Sequence, residues 1–174
     1  MMKYFIIEAE SSNPLPEIIN WYNKINPKYI NEESASKIEE WISLEVKVGN
    51  ESVFPDVFSI PFFLLSMDAS HIVRLYEPYI HMIGVRLIST PDRINIPYYM
   101  PILPVVDCLF ERSELTRGGL DIIRAVVDES RIGKRKLFQL GGISKRRVII
   151  RLDLLESLLR RKAVSLKIEE VEVI

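Results

Sequence analysis

The chain has 174 residues, of which 48% are hydrophobic and 27% charged, and its formal net charge is −1. That length allows one domain of ordinary size with a substantial core, and the composition excludes a disordered chain, a polyanion ligand and an acidic tail protein. The single cysteine, Cys108, rules out an intramolecular disulfide and leaves a reducing compartment open.

Residues Lys3 to Glu8 read as an opening strand, aromatic and branched, and too short and too soon acidic for a signal peptide. A loop follows with Ser11, Ser12, Asn13, Pro14 and Pro16. Glu17 to Lys24 is expected as a short helix carrying Trp21. Ser34 to Ser43 is expected as a second helix, capped by Ser36 with Glu39 and striped by Ile38, Trp41 and Ile42. Leu44, Val46 and Val48 alternate with charged residues as a strand does, up to Gly49-Asn50. Phe62 to Leu65 reads as a buried strand. A helix with Asp68 as its cap follows, ended by Pro78, and Met82 to Ile88 returns as a strand. Tyr98 to Cys108 is extended, and its prolines confine it to a sheet edge, bulge or bend. The prolines between Ile94 and Phe110 also argue against a membrane-spanning helix there. Gly118-Gly119 marks a turn, Ile122 to Val127 a strand, and Leu137 to Leu140 a strand before Gly141-Gly142. Val148 to Ile150 is a strand, Asp153 the cap of a helix from Leu154 to Lys162, and Leu166 to Val173 the last strand.

Phe62 to Val85 and Val148 to Val171 share the order strand, acidic cap, helix, strand. Either the chain contains a duplication or a generic unit recurs, and the second reading is favoured because such units are common. The fold class expected is α+β, with mixed, largely antiparallel sheets and a few short helices, over residues 1–174 as a single domain.

The residues that carry chemistry are sparse. His71, His81 and Cys108 are the only imidazoles and thiol, and their scatter does not match the paired ligands of a zinc site, so no metal and no cofactor are expected. A Cys108 thiolate paired with His71 or His81 is one alternative, against which Cys108 sits in an apolar run where a free cysteine is usually a small buried hydrophobe. The glycine doublets lack the spacing of phosphate-binding loops. Charge is more informative. Residues 1–87 hold 7 basic and 12 acidic groups, a net of −5, while 88–174 hold 16 and 12, a net of +4. Glu32, Glu33, Glu39 and Glu40 mark the acidic half. Arg131, Lys134, Arg135, Lys136, Lys145, Arg146, Arg147, Arg151, Arg160, Arg161 and Lys162 mark the basic half. A split of this kind steers a protein partner, holds nucleic acid, or is only a solvated face. Interleaved aromatics are few, so nucleic acid is the less favoured partner, and the basic 131–162 region is its place if it binds.

One resemblance runs through residues 59–174, with 1–58 generic. Tyr98-Tyr99 precedes an apolar run into Val105-Val106-Asp107, then Glu111-Arg112-Ser113-Glu114. Ile122-Ile123, Asp128 to Lys134 and Leu137-Phe138 follow, and Val148-Ile149-Ile150-Arg151, a helix and Val171-Glu172-Val173 close the pattern. In this the chain resembles the immunity proteins of bacterial polymorphic toxin systems, in the group first catalogued as a domain of unknown function and typified by myxobacterial self-immunity proteins. The family often has a glycine between the last helix and last strand, where this chain has Lys162-Ala163-Val164. The resemblance implies a protein that is not an enzyme and that binds a cognate protein toxin; the lone cysteine and the absence of a signal-peptide or membrane-spanning pattern make the cytoplasm the expected place, with no membrane partner. The contact residues expected are Glu32, Glu33, Glu39, Glu40, Arg135, Lys136, Arg146 and Arg147. A homo-oligomer is left open.

Overall fold

The first strand of the chain lies in the middle of a sheet built from its last third. In the computed structural model, which describes residues 1–12 and 14–174, β1 (Tyr4–Ala9) runs antiparallel to both β13 (Val148–Arg151) and β14 (Leu166–Val173). Asn13, in the loop expected after β1, lies outside the described residues. The remaining strands of this sheet are β11 (Val126–Val127) beside β14, β12 (Leu137–Leu140) beside β13, and β8 (Val105–Val106) beyond β12. The order is β11-β14-β1-β13-β12-β8. Helix α3 (Leu152–Arg160) connects β13 to β14, and the short α2 (Glu129–Ile132) connects β11 to β12.

The second sheet has the order β2-β3-β6-β7-β5-β4. Its strands are β2 (Glu17–Ile19), β3 (Trp41–Lys47), β4 (Val57–Phe58), β5 (Leu64–Ser66), β6 (Met82–Ser89) and β7 (Ile94–Pro101), with α1 (Met67–Tyr76) between β5 and β6. A separate hairpin joins β9 (Glu114–Leu115) to β10 (Ile122–Arg124). The chain is therefore α+β.

The two sheets repeat one plan. In the second, β5-α1-β6 is a strand–helix–strand unit with antiparallel β7 inserted between its strands, β3 parallel beside β6, and β4 antiparallel beside β5. In the first, β13-α3-β14 has antiparallel β1 inserted, β11 parallel beside β14, and β12 antiparallel beside β13. Five strands correspond in order and direction. The place of β7, which follows β6 in the chain, is filled in the other sheet by β1 from the opposite terminus. The two units that echo each other in sequence thus occupy equivalent positions in the two sheets.

Three apolar clusters hold the layers together, as non-directional burial requires. Ala69, Ile72 and Val73 of α1 and Leu154, Leu155 and Leu158 of α3 share one cluster with Val57 and Leu65 of the second sheet and Ile7, Val148 and Ile150 of the first. The other face of the second sheet (Leu44, Val85, Leu87, Tyr98) is covered by Ile25, Ala35 and Ile38 from the segment before β3. The other face of the first (Tyr4, Phe138, Ile149) is covered by Cys108, Ala125 and Ile132.

Several sequence expectations are corrected. Glu17 to Lys24 is no helix: Glu17–Ile19 pairs with β3, and Asn20 turns the chain at φ 55°. Trp21 then packs edge-on to Phe62, ring centroids 5.0 Å apart. Ser34 to Ser43 contains one 3-10 turn, Ala35–Lys37, and is extended from Ile38. The stretch Trp41 to Lys47 alternates out and in with period two, so the apparent stripe of Ile38, Trp41 and Ile42 belongs to two elements. Trp41 lies half-exposed over Gly84, with Arg86 at 5.2 Å from its ring. The cap of α1 is Ser66, whose hydroxyl oxygen accepts from the Ala69 amide at 3.1 Å, with Asp68 in the first turn. Helix α3 begins at Leu152 with no side-chain cap, and Asp153 pairs with Arg151 at 2.8 Å. Of the edge, bulge or bend expected for Tyr98 to Cys108, the edge is not found: the run leaves the strand after Pro101, and β7 is interior. Its partner β5 covers only Tyr98 and Tyr99, so Pro97 falls where that side of the strand is open. The Ile122–Val127 run breaks at Ala125 into strands of two different sheets.

Candidate functional site

At one end of the junction between the sheets, a cleft of about 710 Å³ gathers residues from both halves of the sequence. Its acidic wall comes from the segment before β3. Asn31 builds a tight turn there: its Oδ1 accepts from the Glu33 and Ser34 amides at 3.1 and 2.9 Å, leaving Glu32 and Glu33 outside the turn and exposed. Buried Ile38 pins the next stretch, and the Glu40 carbonyl accepts from the Gly84 amide at 2.8 Å, which fixes Glu40 at the start of β3. Glu32 and Glu40 line the cleft. Glu33 and Glu39 are exposed beside them, outside its lining.

The floor follows α1. The Ile80 amide donates to the Glu77 carbonyl at 3.2 Å, closing a turn in which Pro78 presets the backbone and Tyr79 forms the apex. Tyr79 is 98% exposed, and its neighbours Glu77 and His81 also line the cleft. The His81 carbonyl accepts from Ile102, tying this loop to the crossover out of β7. The opposite wall is Arg135, whose guanidinium donates to the Ile132 carbonyl at the end of α2, 3.0 Å away. Lys136 follows it: its amide donates to the Glu77 carboxylate and its ammonium lies 5.0 Å from the Tyr76 ring centre.

The opposite charges of the two sequence halves thus face one cleft, and among the described residues no ion pair joins Glu32, Glu40 or Glu77 to Arg135. Charged groups left open to a partner in this way set association rate and register. Neither a protein-family model nor a curated protein matches this chain. What the cleft can do is therefore read from its geometry.

Of the other expected contact residues, Arg146 donates to the Pro27 carbonyl at 2.7 Å, away from the cleft, joining the loop before β13 to the segment that covers the second sheet. Arg147 is committed internally. Its guanidinium makes two bonds to Asp121, at 2.9 and 2.7 Å, and a third to Glu8 at 2.7 Å, and its side chain is 16% exposed. The fork of Arg147 holds the Asp121 carboxyl well below the usual carboxylate range.

Cys108, His71 and His81 do not converge. Cys108 is fully buried in the cluster behind the first sheet, His71 lies on the exposed side of α1, and His81 is at the cleft. Burial pushes the Cys108 thiol up to about 11, the reverse of what a thiolate nucleophile requires. Glu77 and Tyr79 were missed in the sequence. The signal was Glu77-Pro78-Tyr79 directly after a helix, a turn whose third residue is free to project, yet nothing local shows that this turn faces the acidic segment.

Proposed function

We propose that this chain is a non-catalytic binding protein of the bacterial cytoplasm, an immunity protein that neutralises a cognate toxin by direct binding at this cleft. The observation that carries the reading is the cleft itself: charges from both sequence halves, in no ion pair with one another among the described residues, surround Tyr79, an aromatic side chain that is 98% exposed. Exposed aromatics that become buried are the side chains on which interface energy concentrates, and surrounding charge speeds capture. The acidic wall suits a basic toxin surface such as that of a nuclease. Occlusion of the toxin requires no chemistry from this chain.

The alternative partner, nucleic acid at the 131–162 region, loses support from the ion pairs. Arg147 and Arg151, 16% and 14% exposed, are each committed to a carboxylate, which removes two of the eleven cations on which that reading rests, while the exposed pairs of Arg131, Lys145 and Arg160 are weak. The test is co-expression with the product of the adjacent gene. A stable complex and rescue of cell growth are expected; growth arrest with no complex overturns the proposal.

A further inference from the structure

Among the described residues, the outer edge of β14 is unpaired along most of its length, and its hydrogen bonds fix which residues face outward. Glu10 donates to the Ser165 carbonyl across the β1 side at 2.8 Å, while Glu172 and Ile174 donate to Ala125 and Val127 across the β11 side at 3.3 and 3.0 Å. Antiparallel ladders alternate, so Lys167, Glu169 and Val171 turn their amides and carbonyls towards β1. Leu166, Ile168 and Glu170 turn theirs outward. Strand β11 covers only Glu172 and Val173. In the second sheet the equivalent edge of β6 is covered by β3 from Gly84 to Ile88. The first sheet therefore leaves open a place that the same plan fills elsewhere, bounded by β11 at one end and by Ser165, which turns the chain at φ 57°, at the other.

We propose that a second copy of this chain fills it, with β14 pairing antiparallel to its own counterpart about Ile168. Only outward-facing residues can pair by hydrogen bonds across this edge, which limits the registers. Centred on Ile168, the two strands match Leu166 with Glu170, Ile168 with Ile168 and Glu170 with Leu166. All three outward residues are used, and about six hydrogen bonds form, two per bonded pair. The same register sets Lys167 opposite the other copy's Glu169, twice. A shift to centre on Lys167 opposes two lysines, and a shift to Glu169 opposes two glutamates; each also leaves an outward residue unpaired. Charged residues on an edge ordinarily discourage pairing, but here they discourage the two neighbouring registers and favour the one centred on Ile168, which also uses the most outward residues. Lys167 is half-exposed and Glu169 exposed, so both are available. Lys167 also pairs with Glu8 at 2.9 Å, and Glu8 keeps Arg147 when Lys167 changes. The interface is small, so the dimer is of the weak, concentration-dependent class.

Sedimentation equilibrium on the whole chain tests this, with circular dichroism to confirm that each variant folds. The wild type is expected to dimerise. Lys167→Glu and Glu169→Lys each oppose like charges and are expected to raise the dissociation constant about tenfold, and the double exchange K167E/E169K is expected to restore it. Ile168→Pro removes an amide that the monomer's own ladder does not use, so it separates loss of the edge from loss of the fold. A wild type that stays monomeric to about 1 mM overturns the proposal. So does a dimer indifferent to K167E and I168P, or one that the double exchange fails to restore.

Discussion

Two residues show how single side chains set local stability. Helix α3 ends in a pair of hydrogen bonds, Ala163 to the Leu158 carbonyl at 3.2 Å and Lys162 to the Leu159 carbonyl at 3.0 Å, with Lys162 held at φ 59°. This is the position where such helix ends ordinarily carry glycine. A side chain there strains the backbone, so Lys162→Gly is expected to raise stability by about 0.5–1 kcal/mol, read from urea unfolding. Asp121 is the second case. Its carboxylate accepts the Arg147 fork and its Oδ1 also accepts the Ile122 amide at 2.8 Å. Asp121→Asn removes the ionic component and is expected to cost about 2 kcal/mol at neutral pH. Because the folded carboxyl is held low, the unfolded chain takes up the proton first. The difference between wild type and D121N is therefore complete above about pH 5 and shrinks as the pH falls through the folded value. A gap that persists unchanged to acid pH contradicts the ionic origin.

At the scale of elements, the strands and helices with a complete local pattern were legible: β6, α1, β12, β13, α3 and β14 lie close to where periodicity placed them. Two of the errors, the helices expected at Glu17 to Lys24 and Ser34 to Ser43, come from the period assigned to segments with few residues. Ile38 and Ile42 are spaced like a helical stripe, yet Ile42 belongs to an alternating strand paired with β6 from Gly84 to Ile88, and that pairing outweighs a weak helix. Interior β7 was misplaced because the local effect of Pro97 is visible in sequence, but the shortness of its neighbour β5 is not. The last contacts of the first sheet depend on a close approach. A Cβ on Gly141 would lie 3.1 Å from the Asp107 backbone, where β8 joins β12 and the Gly141 amide donates to Val106 at 2.8 Å. Gly141→Ala is expected to push β8 outward at a cost of about 1–3 kcal/mol, visible as a lower denaturation midpoint. In the central cluster, Leu155→Ala is expected to cost about 3 kcal/mol by leaving a cavity between the layers.

Over the whole molecule, the charge asymmetry was legible as a count but not as a surface. The same summation counted Arg147, which is committed to Asp121 and Glu8, alongside Arg135, which faces the cleft. What sequence could not supply was the fold that turns Glu32, Glu40, Glu77 and Arg135 towards one space with Tyr79 at its rim. The equivalence of the two sheets was half legible. The two strand–helix–strand units were visible, but the insertion of β1 into the second unit joins opposite ends of the chain and leaves no local trace. The cleft forms where the two sheets meet, so its walls come from elements distant in sequence, and that arrangement underlies the proposal of toxin capture. Capture as proposed uses this cleft without chemistry from the chain. Its most direct test is titration calorimetry of the adjacent gene's product against the wild type, Tyr79→Ala and the double variant Glu32→Lys/Glu40→Lys. These side chains are exposed, so unfolding midpoints should hold. The expected result is one-to-one binding, weakened at least about tenfold by each variant. Unchanged affinity in both variants, with the toxin still bound, would contradict it.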